Sequence, residues 1–276
     1  MLEKCWRNRL DMNKILNNFF LSPFTHKASI AIAGLTAATL IISGCGKSNP
    51  DNLLREAANS AAAGQWKKAI KQADKAVSED SDNPNAKVML GIAHYVRRNL
   101  EKAEDVLSRA AKAAPENFSA QYFYGLVLYE QENYAKALKP LRKAFQLRKD
   151  NPDLLILLSR CCIQQNLKEG TRYLQVLRRF RNYGKEPEVY NSIALIWLGH
   201  RNYDMAEKYL LEAKDKKPRN PVVLQNLAVF YDRYRQNIKK ALKYYRRCLQ
   251  ASMRVDDNER ANKVRNRLRE LAKERI

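Results

Sequence analysis

Apolar residues recur along this chain with the period of a helix. Between Ile238 and Leu249, the positions Ile238, Ala241, Leu242, Tyr245, Cys248 and Leu249 fall at i, i+3, i+4, i+7, i+10 and i+11, a single stripe on a helix of 3.6 residues per turn. Asp256-Asp257 then read as a cap for a last helix with Ala261, Val264, Leu268 and Leu271 on one face and Arg260, Lys263, Arg265, Arg267 and Arg269 elsewhere. No alternating run of useful length predicts a strand, so the expected fold class is all-α. Near the start the pattern changes. Ala28 to Ser43 is an uncharged apolar run, preceded by Lys4, Arg7, Arg9, Lys14 and Lys27 against only Glu3 and Asp11.

A phrase repeats along the rest of the chain: one or two turn residues, a bulky residue, two polar positions, an alanine and an aliphatic. It appears as Gln65-Trp66-Lys67-Lys68-Ala69-Ile70, Asn99-Leu100-Glu101-Lys102-Ala103, Asn133-Tyr134-Ala135-Lys136-Ala137-Leu138, Asn202-Tyr203-Asp204-Met205-Ala206 and Asn237-Ile238-Lys239-Lys240-Ala241-Leu242. A weaker copy is Asn166-Leu167-Lys168-Glu169-Gly170. The key position therefore falls at 69, 103, 137, 170, 206 and 241, at intervals of 34, 34, 33, 36 and 35. Leu90-Gly91 and Tyr124-Gly125 occupy matching places upstream, with Ala194 and Ala228 later. Ala76, Ala110, Ala144 and Ala213 stand seven residues after the key position, and Pro115 and Pro218 stand twelve after it. These residues resemble the tetratricopeptide repeat, whose period is about 34 residues. The resemblance implies a right-handed superhelical solenoid of about six helix-turn-helix repeats over 52–253, closed by a capping helix over 254–276. The length thus divides into repeats and a cap, in place of one or two globular domains.

The apolar run, at roughly 16 residues, is short for a membrane span of about 20 and long enough for the apolar region of a secretory signal. It closes on Ile42-Ser43-Gly44-Cys45, which resembles the lipobox of bacterial lipoproteins. The resemblance implies a signal peptide over 1–44, removed ahead of Cys45, whose sulfur carries diacylglycerol. Residues 45–51 read as a tether of turn-forming residues. The alternative is an uncleaved anchor with Cys45 incidental. Both place everything after Cys45 outside the cytoplasm by the positive-inside rule. Gly46 in place of Asp implies, by the same resemblance, the periplasmic face of the outer membrane in the cell envelope. Met1 and Met12 both remain open as the start.

Charge and chemistry now have a setting. The chain carries 51 Lys and Arg against 29 Asp and Glu, a net charge of +22, of which +19 stays after residue 44. Residues 201–250 hold thirteen basic and five acidic residues. Lys239, Lys240, Lys243, Arg246 and Arg247 lie opposite the apolar stripe of their helix, and Arg178, Arg179 and Arg181 form an earlier cluster. The bland reading is a solvated face. The sharper one is a face for lipid headgroups, lipopolysaccharide, cell-wall polymer or an acidic partner protein. The expected location argues against nucleic acid.

Three histidines and five cysteines leave little for a metal or nucleophile site. His94 is expected packed and His200 in a turn, neither with a partner at metal spacing. Cys161, Cys162 and Cys248 are expected as small buried residues. No nucleotide or hydrolase motif is present. No cofactor, metal or catalytic residue is predicted, and the chain is not expected to be an enzyme.

The resemblance instead implies a concave groove lined by first-helix residues. By that register the lining includes Asn85, Val88, Ile92 and Tyr95, then Ser119, Tyr122, Leu126 and Tyr129, then Asp153, Ile156, Arg160 and Ile163. Later repeats add Glu188, Asn191, Leu195 and Leu198, then Val222, Gln225, Val229 and Asp232. Tyr95, Tyr122, Leu126 and Tyr129 would form an apolar clamp, with Arg160, Asn191 and Gln225 as polar anchors for an extended or helical segment of a partner protein. Some of the tyrosines are alternatively read as packing between helices. The expected function is a membrane-anchored, non-enzymatic scaffold, with polyanion binding by the basic C-terminal half as the alternative.

Overall fold

A computed structural model describes residues 50–273; the expected signal peptide, Cys45 and most of the expected tether lie outside the described residues. All regular structure among the described residues is helical. The helices are α1 Pro50–Ala62, α2 Trp66–Glu79, α3 Pro84–Val96, α4 Leu100–Ala113, α5 Phe118–Glu130, α6 Tyr134–Leu147, α7 Pro152–Gln164, α8 Gly170–Leu177, α9 Pro187–Gly199, α10 Tyr203–Lys216, α11 Pro221–Val229, α12 Ile238–Arg254 and α13 Asn258–Lys273. Pro50 and Asp51, expected in the tether, belong to α1, where a first-turn proline loses no helical hydrogen bond and an acid meets the positive end of the dipole.

The chain divides into two compact units, which in the described residues are 50–165 and 166–273. In the first, α1 packs on α2, α3 on α4 and α5 on α6, and each second helix packs on the first helix that follows it. The alanines of the repeated phrase explain why. Ala69, Ala103 and Ala137 are fully buried where helices cross, as are Ala76, Ala110 and Ala144 one face-repeat later. Gly91 and Gly125 go further, letting Leu107 and Leu141 lie directly on the helix backbone. Each of those leucines is completely buried, contributing roughly 2 kcal/mol by removal from water.

The same pairing holds in the second unit, with α9 on α10, α11 on α12 and α13 on α12. Two departures from the 34-residue period have visible causes. The weak fourth copy forms only the eight-residue α8, after which the chain turns through residues 178–186 before Pro187. Tyr190 fastens that turn by donating from its hydroxyl to the Gly184 carbonyl at 2.8 Å. The second departure is in α11, which continues into a π turn at Phe230–Tyr234, with the Arg235 N–H bonded to the Phe230 carbonyl at 3.1 Å. The wider i→i+5 turn absorbs one extra residue while keeping the flanking helices in register.

Local signals fix the helix ends. Asn83, Asn99, Asn117, Asn151, Asn202, Asn220 and Asn237 each cap a helix by accepting a backbone N–H, an interaction worth about 1 kcal/mol. The turn after the first helix of each repeat places one residue in the left-handed region: Gly64, Arg98, Glu132, Asn166, Arg201 and Gln236.

Candidate functional site

In the first unit the first helices α3, α5 and α7 lie side by side and carry the predicted groove residues Tyr95, Tyr122, Tyr129 and Arg160. Tyr122 stands within electrostatic reach of Tyr95 and Asp153; burial, then these two groups, push its phenol well above the ordinary value. The Tyr95 phenol is pushed up to about 12, by burial first and Glu130 next, with Arg98 opposing. Tyr129 accepts a hydrogen bond from Arg160, which partly offsets the upward push of burial on its phenol. All three rings are half-buried, and all three hydroxyls keep their protons at neutral pH. The face therefore combines apolar rings with hydroxyls largely withdrawn from water.

The rings are also held from behind. Phe118 stacks on Tyr122 with centroids 5.7 Å apart, Phe123 meets Tyr122 edge-on at 5.2 Å, and Tyr134 meets Tyr129 at 5.4 Å. The Arg148 guanidinium lies 4.3 Å over Phe118. Phe118 and Arg148 were not among the predicted residues, although Phe118 and Tyr122 at i, i+4 carry that signal. Leu126 is buried, with 6% exposed, and offers little contact surface.

In the second unit the predicted anchors separate. Asn191 is buried and its Oδ1 has no hydrogen-bond partner; one turn earlier, Glu188 Oε2 is likewise unpartnered. Burial pushes the Glu188 carboxyl above the usual range, against Lys217 nearby. Gln225 is already engaged, its Oε1 accepting from Arg260 Nε at 2.8 Å. Asp232 is held by Arg267 in the same way. The expectation that Arg260 and Arg267 belong to the polar back of the last helix is corrected here. Each lies 35 residues after its partner, so α13 presents them where a further first helix would stand. Lys263 is exposed and Arg265 half-buried, and both make contacts within their own helix.

Two family models match the sequence, the tetratricopeptide repeat over residues 60–125 and the anaphase-promoting complex, cyclosome, subunit 3 over residues 97–177. No curated protein matches it. Similar solved structures include YrrB, described as a TPR protein with an unusual peptide-binding site (TM-score 0.58, 20% identity, 64% of this chain and 90% of that one). Pseudomonas aeruginosa pilF aligns with TM-score 0.55 and 18% identity over 79% of this chain and 97% of its own. A tetratricopeptide repeat protein from Parabacteroides merdae aligns with TM-score 0.54 and 13% identity over 80% and 93%. The array is a tetratricopeptide-repeat solenoid. At these identities, what is shared with the solved structures is the fold.

The basic residues of the tetratricopeptide array fall into two kinds. Arg178 is half-buried over the Tyr190 ring at 4.6 Å and 3.6 Å from Glu212. Lys240 lies 4.6 Å over Tyr231 and 3.6 Å from Glu207, and Arg247 donates to the Pro218 carbonyl at 3.2 Å. Arg179, Arg181, Lys239, Lys243 and Arg246 are exposed. His94 is half-buried, its pKa lowered by burial and then by Lys102, while His200 is exposed at the end of α9. Cys161, Cys162 and Cys248 are buried, and burial pushes the Cys248 thiol up to about 11. Among the described residues, no cluster of His, Cys, Asp and Glu has metal-site geometry.

Proposed function

We propose that this chain is a non-enzymatic scaffold of the bacterial cell envelope, anchored to a membrane by a lipid on Cys45. It holds an extended or helical segment of a partner protein against the tyrosine face of α3, α5 and α7. The observation that carries the reading is that Tyr95, Tyr122, Tyr129 and Arg160 lie on adjacent first helices, with the Tyr122 and Tyr129 rings fixed by aromatic neighbours and Arg160 hydrogen-bonded to Tyr129. Rings fixed by Phe118, Phe123 and Tyr134 lose little freedom on binding. That YrrB is described as having a peptide-binding site supports the same use of the fold here.

The test is site-specific photocrosslinking in intact cells. A photoreactive residue at Tyr122 should give a discrete adduct, and one at the outward-facing Lys136 should not. Adding Tyr129→Ala should reduce the Tyr122 adduct at least about fivefold, a loss of ring contact worth roughly 1 kcal/mol. Equal adducts from both positions would sink the groove reading. The anchor is tested separately: Cys45→Ser should abolish acylation and release the protein from the membrane fraction.

A further inference from the structure

The second unit contains a cavity of about 230 Å³ between the turn preceding α11 and the last two turns of α12, lined by Pro218, Arg219, Leu224, Arg247, Gln250, Ala251 and Arg254. Leu224 and Ala251 are buried and form its floor. The three arginines, two of them exposed, form its rim. Among the described residues none of Arg219, Arg247 and Arg254 pairs with a carboxylate. The acids Asp257, Asp215 and Glu212 pair elsewhere, with Arg260, Lys214 and Arg178.

Arg247 is held in place from two sides, by its bond to the Pro218 carbonyl at 3.2 Å and by the Tyr244 ring 5.8 Å from its guanidinium carbon. Along α12, Arg247, Gln250 and Arg254 fall at i, i+3 and i+7, with Lys243 one turn earlier on the same face. Lys240 also starts that row, but Glu207 draws it away. Positive charge on the helix therefore accumulates toward the cavity. Part of it offsets the negative end of the α12 dipole at Arg254, yet one cation in the last turn would suffice for that.

We infer that this cavity is a binding site for a phosphate-type oxyanion. Three guanidiniums around one small hollow repel one another until an anion sits between them. Their planar forks match the oxygen spacing of a phosphate, giving paired charge-assisted hydrogen bonds that a single lysine does not supply. Gln250 adds an amide donor, and the apolar floor keeps water from one side. The volume suits a single phosphate group and its substituent. Such a group is presented either by a soluble phosphate or by the headgroup of an anionic phospholipid. This inference does not depend on the tyrosine face, which lies in the other unit.

The test uses the full-length chain, with inorganic phosphate as the first probe, titrated calorimetrically against chloride at matched ionic strength. The variants are Arg219→Gln with Arg254→Gln, both exposed, and the charge-matched control Lys239→Gln with Arg246→Gln, also exposed but outside the cavity. Phosphate should bind the unaltered chain saturably. The cavity pair should weaken it at least about tenfold, the loss expected for two charge-assisted contacts, and the control pair by less than about twofold. Circular dichroism confirms that each variant keeps its helix content. A second arm measures cosedimentation with phosphatidylglycerol/phosphatidylcholine vesicles against phosphatidylcholine alone. Recruitment to the anionic vesicles that the cavity pair abolishes and free phosphate competes away assigns the site to a headgroup. Phosphate binding without such recruitment assigns it to a soluble oxyanion. The inference is overturned if phosphate does not bind the unaltered chain, or if the control pair weakens binding as much as the cavity pair.

Discussion

Arg267 in the last helix grips Asp232 in the π turn with two nitrogens, Nε to Oδ2 at 2.8 Å and Nη2 to Oδ1 at 3.0 Å. The Tyr245 hydroxyl donates to the same Oδ2 at 3.0 Å. The carboxylate is almost wholly buried, 3% exposed, whereas Arg267 keeps 30% of its surface. Removing the arginine therefore strands a buried charge. Arg267→Ala should cost about 2–3 kcal/mol, at the low end for a broken buried pair because the arginine is partly solvated. In a repeat array the loss stays local. Amide hydrogen exchange should show α13 opening far more readily while the amides of α3 to α6 keep their protection. Uniform protection across α13 would show that the pair does not hold the cap.

The same carboxylate makes the cap sensitive to acid. Burial alone would raise the Asp232 pKa, but hydrogen bonds from Arg267 and Tyr245, with the charges of Arg267 and Arg233, hold it below the ordinary carboxylate value near 3.8. A depressed folded-state value means that the unfolded chain binds the proton first as pH falls. The stabilisation is full above the ordinary carboxylate range and is lost as pH drops through the lower, folded value. Melting followed from neutral pH to about pH 2 should show this loss. In Asp232→Asn that component of the pH dependence should disappear, although the variant starts out less stable.

Gly125 tests the packing rule in the first unit. A methyl group on its Cα would lie 2.5 Å from both Cγ and Cδ2 of Leu141, closer than side chains tolerate, and Leu141 is fully buried. Gly125→Ala should destabilise by about 1–3 kcal/mol, the usual penalty for overpacking a filled core. Shortening the neighbour in Gly125→Ala with Leu141→Val should recover part of that loss, although Leu141→Val alone destabilises. A double-mutant cycle by urea denaturation reads the coupling; simple additivity would mean the contact is not the cause.

The repeat was legible because its chemistry is local. An alanine or glycine at a crossing, a bulky residue beside it and an asparagine before each helix recur in register, and Ala69, Ala103 and Ala137 sit buried as that register requires. Tyr95, Tyr122, Tyr129 and Arg160 fall on adjacent first helices for the same reason: a constant repeat length sets those helices side by side. Gln225 shows where this reasoning stopped. Its position is that of a groove residue, but Arg260 occupies it, and nothing near Arg260 in the sequence marks one face of a basic helix as inward. The π turn was similarly hidden. One extra residue between repeats reads as a longer loop until the backbone shows it taken up inside a helix. The arginine cavity joins the Pro218–Arg219 turn to residues about 30 positions later, a pairing that no single-helix stripe contains.

The left-handed turn residues supply a last, opposite pair of outcomes. Gly64 holds φ +72° with open space where a side chain would go, so Gly64→Ala should lose about 1 kcal/mol through backbone strain alone. Gln236 holds φ 50° at the matching place in the sixth repeat, is exposed, and sits immediately before the Asn237 cap. Glycine adopts that conformation without the Cβ clash, at the cost of a more flexible unfolded chain, so Gln236→Gly should be neutral or stabilising by up to about 1 kcal/mol. Measured as midpoint shifts in thermal unfolding, the two substitutions should have different signs or clearly unequal sizes. Equal destabilisation would mean that the turn conformation is not what these positions select for.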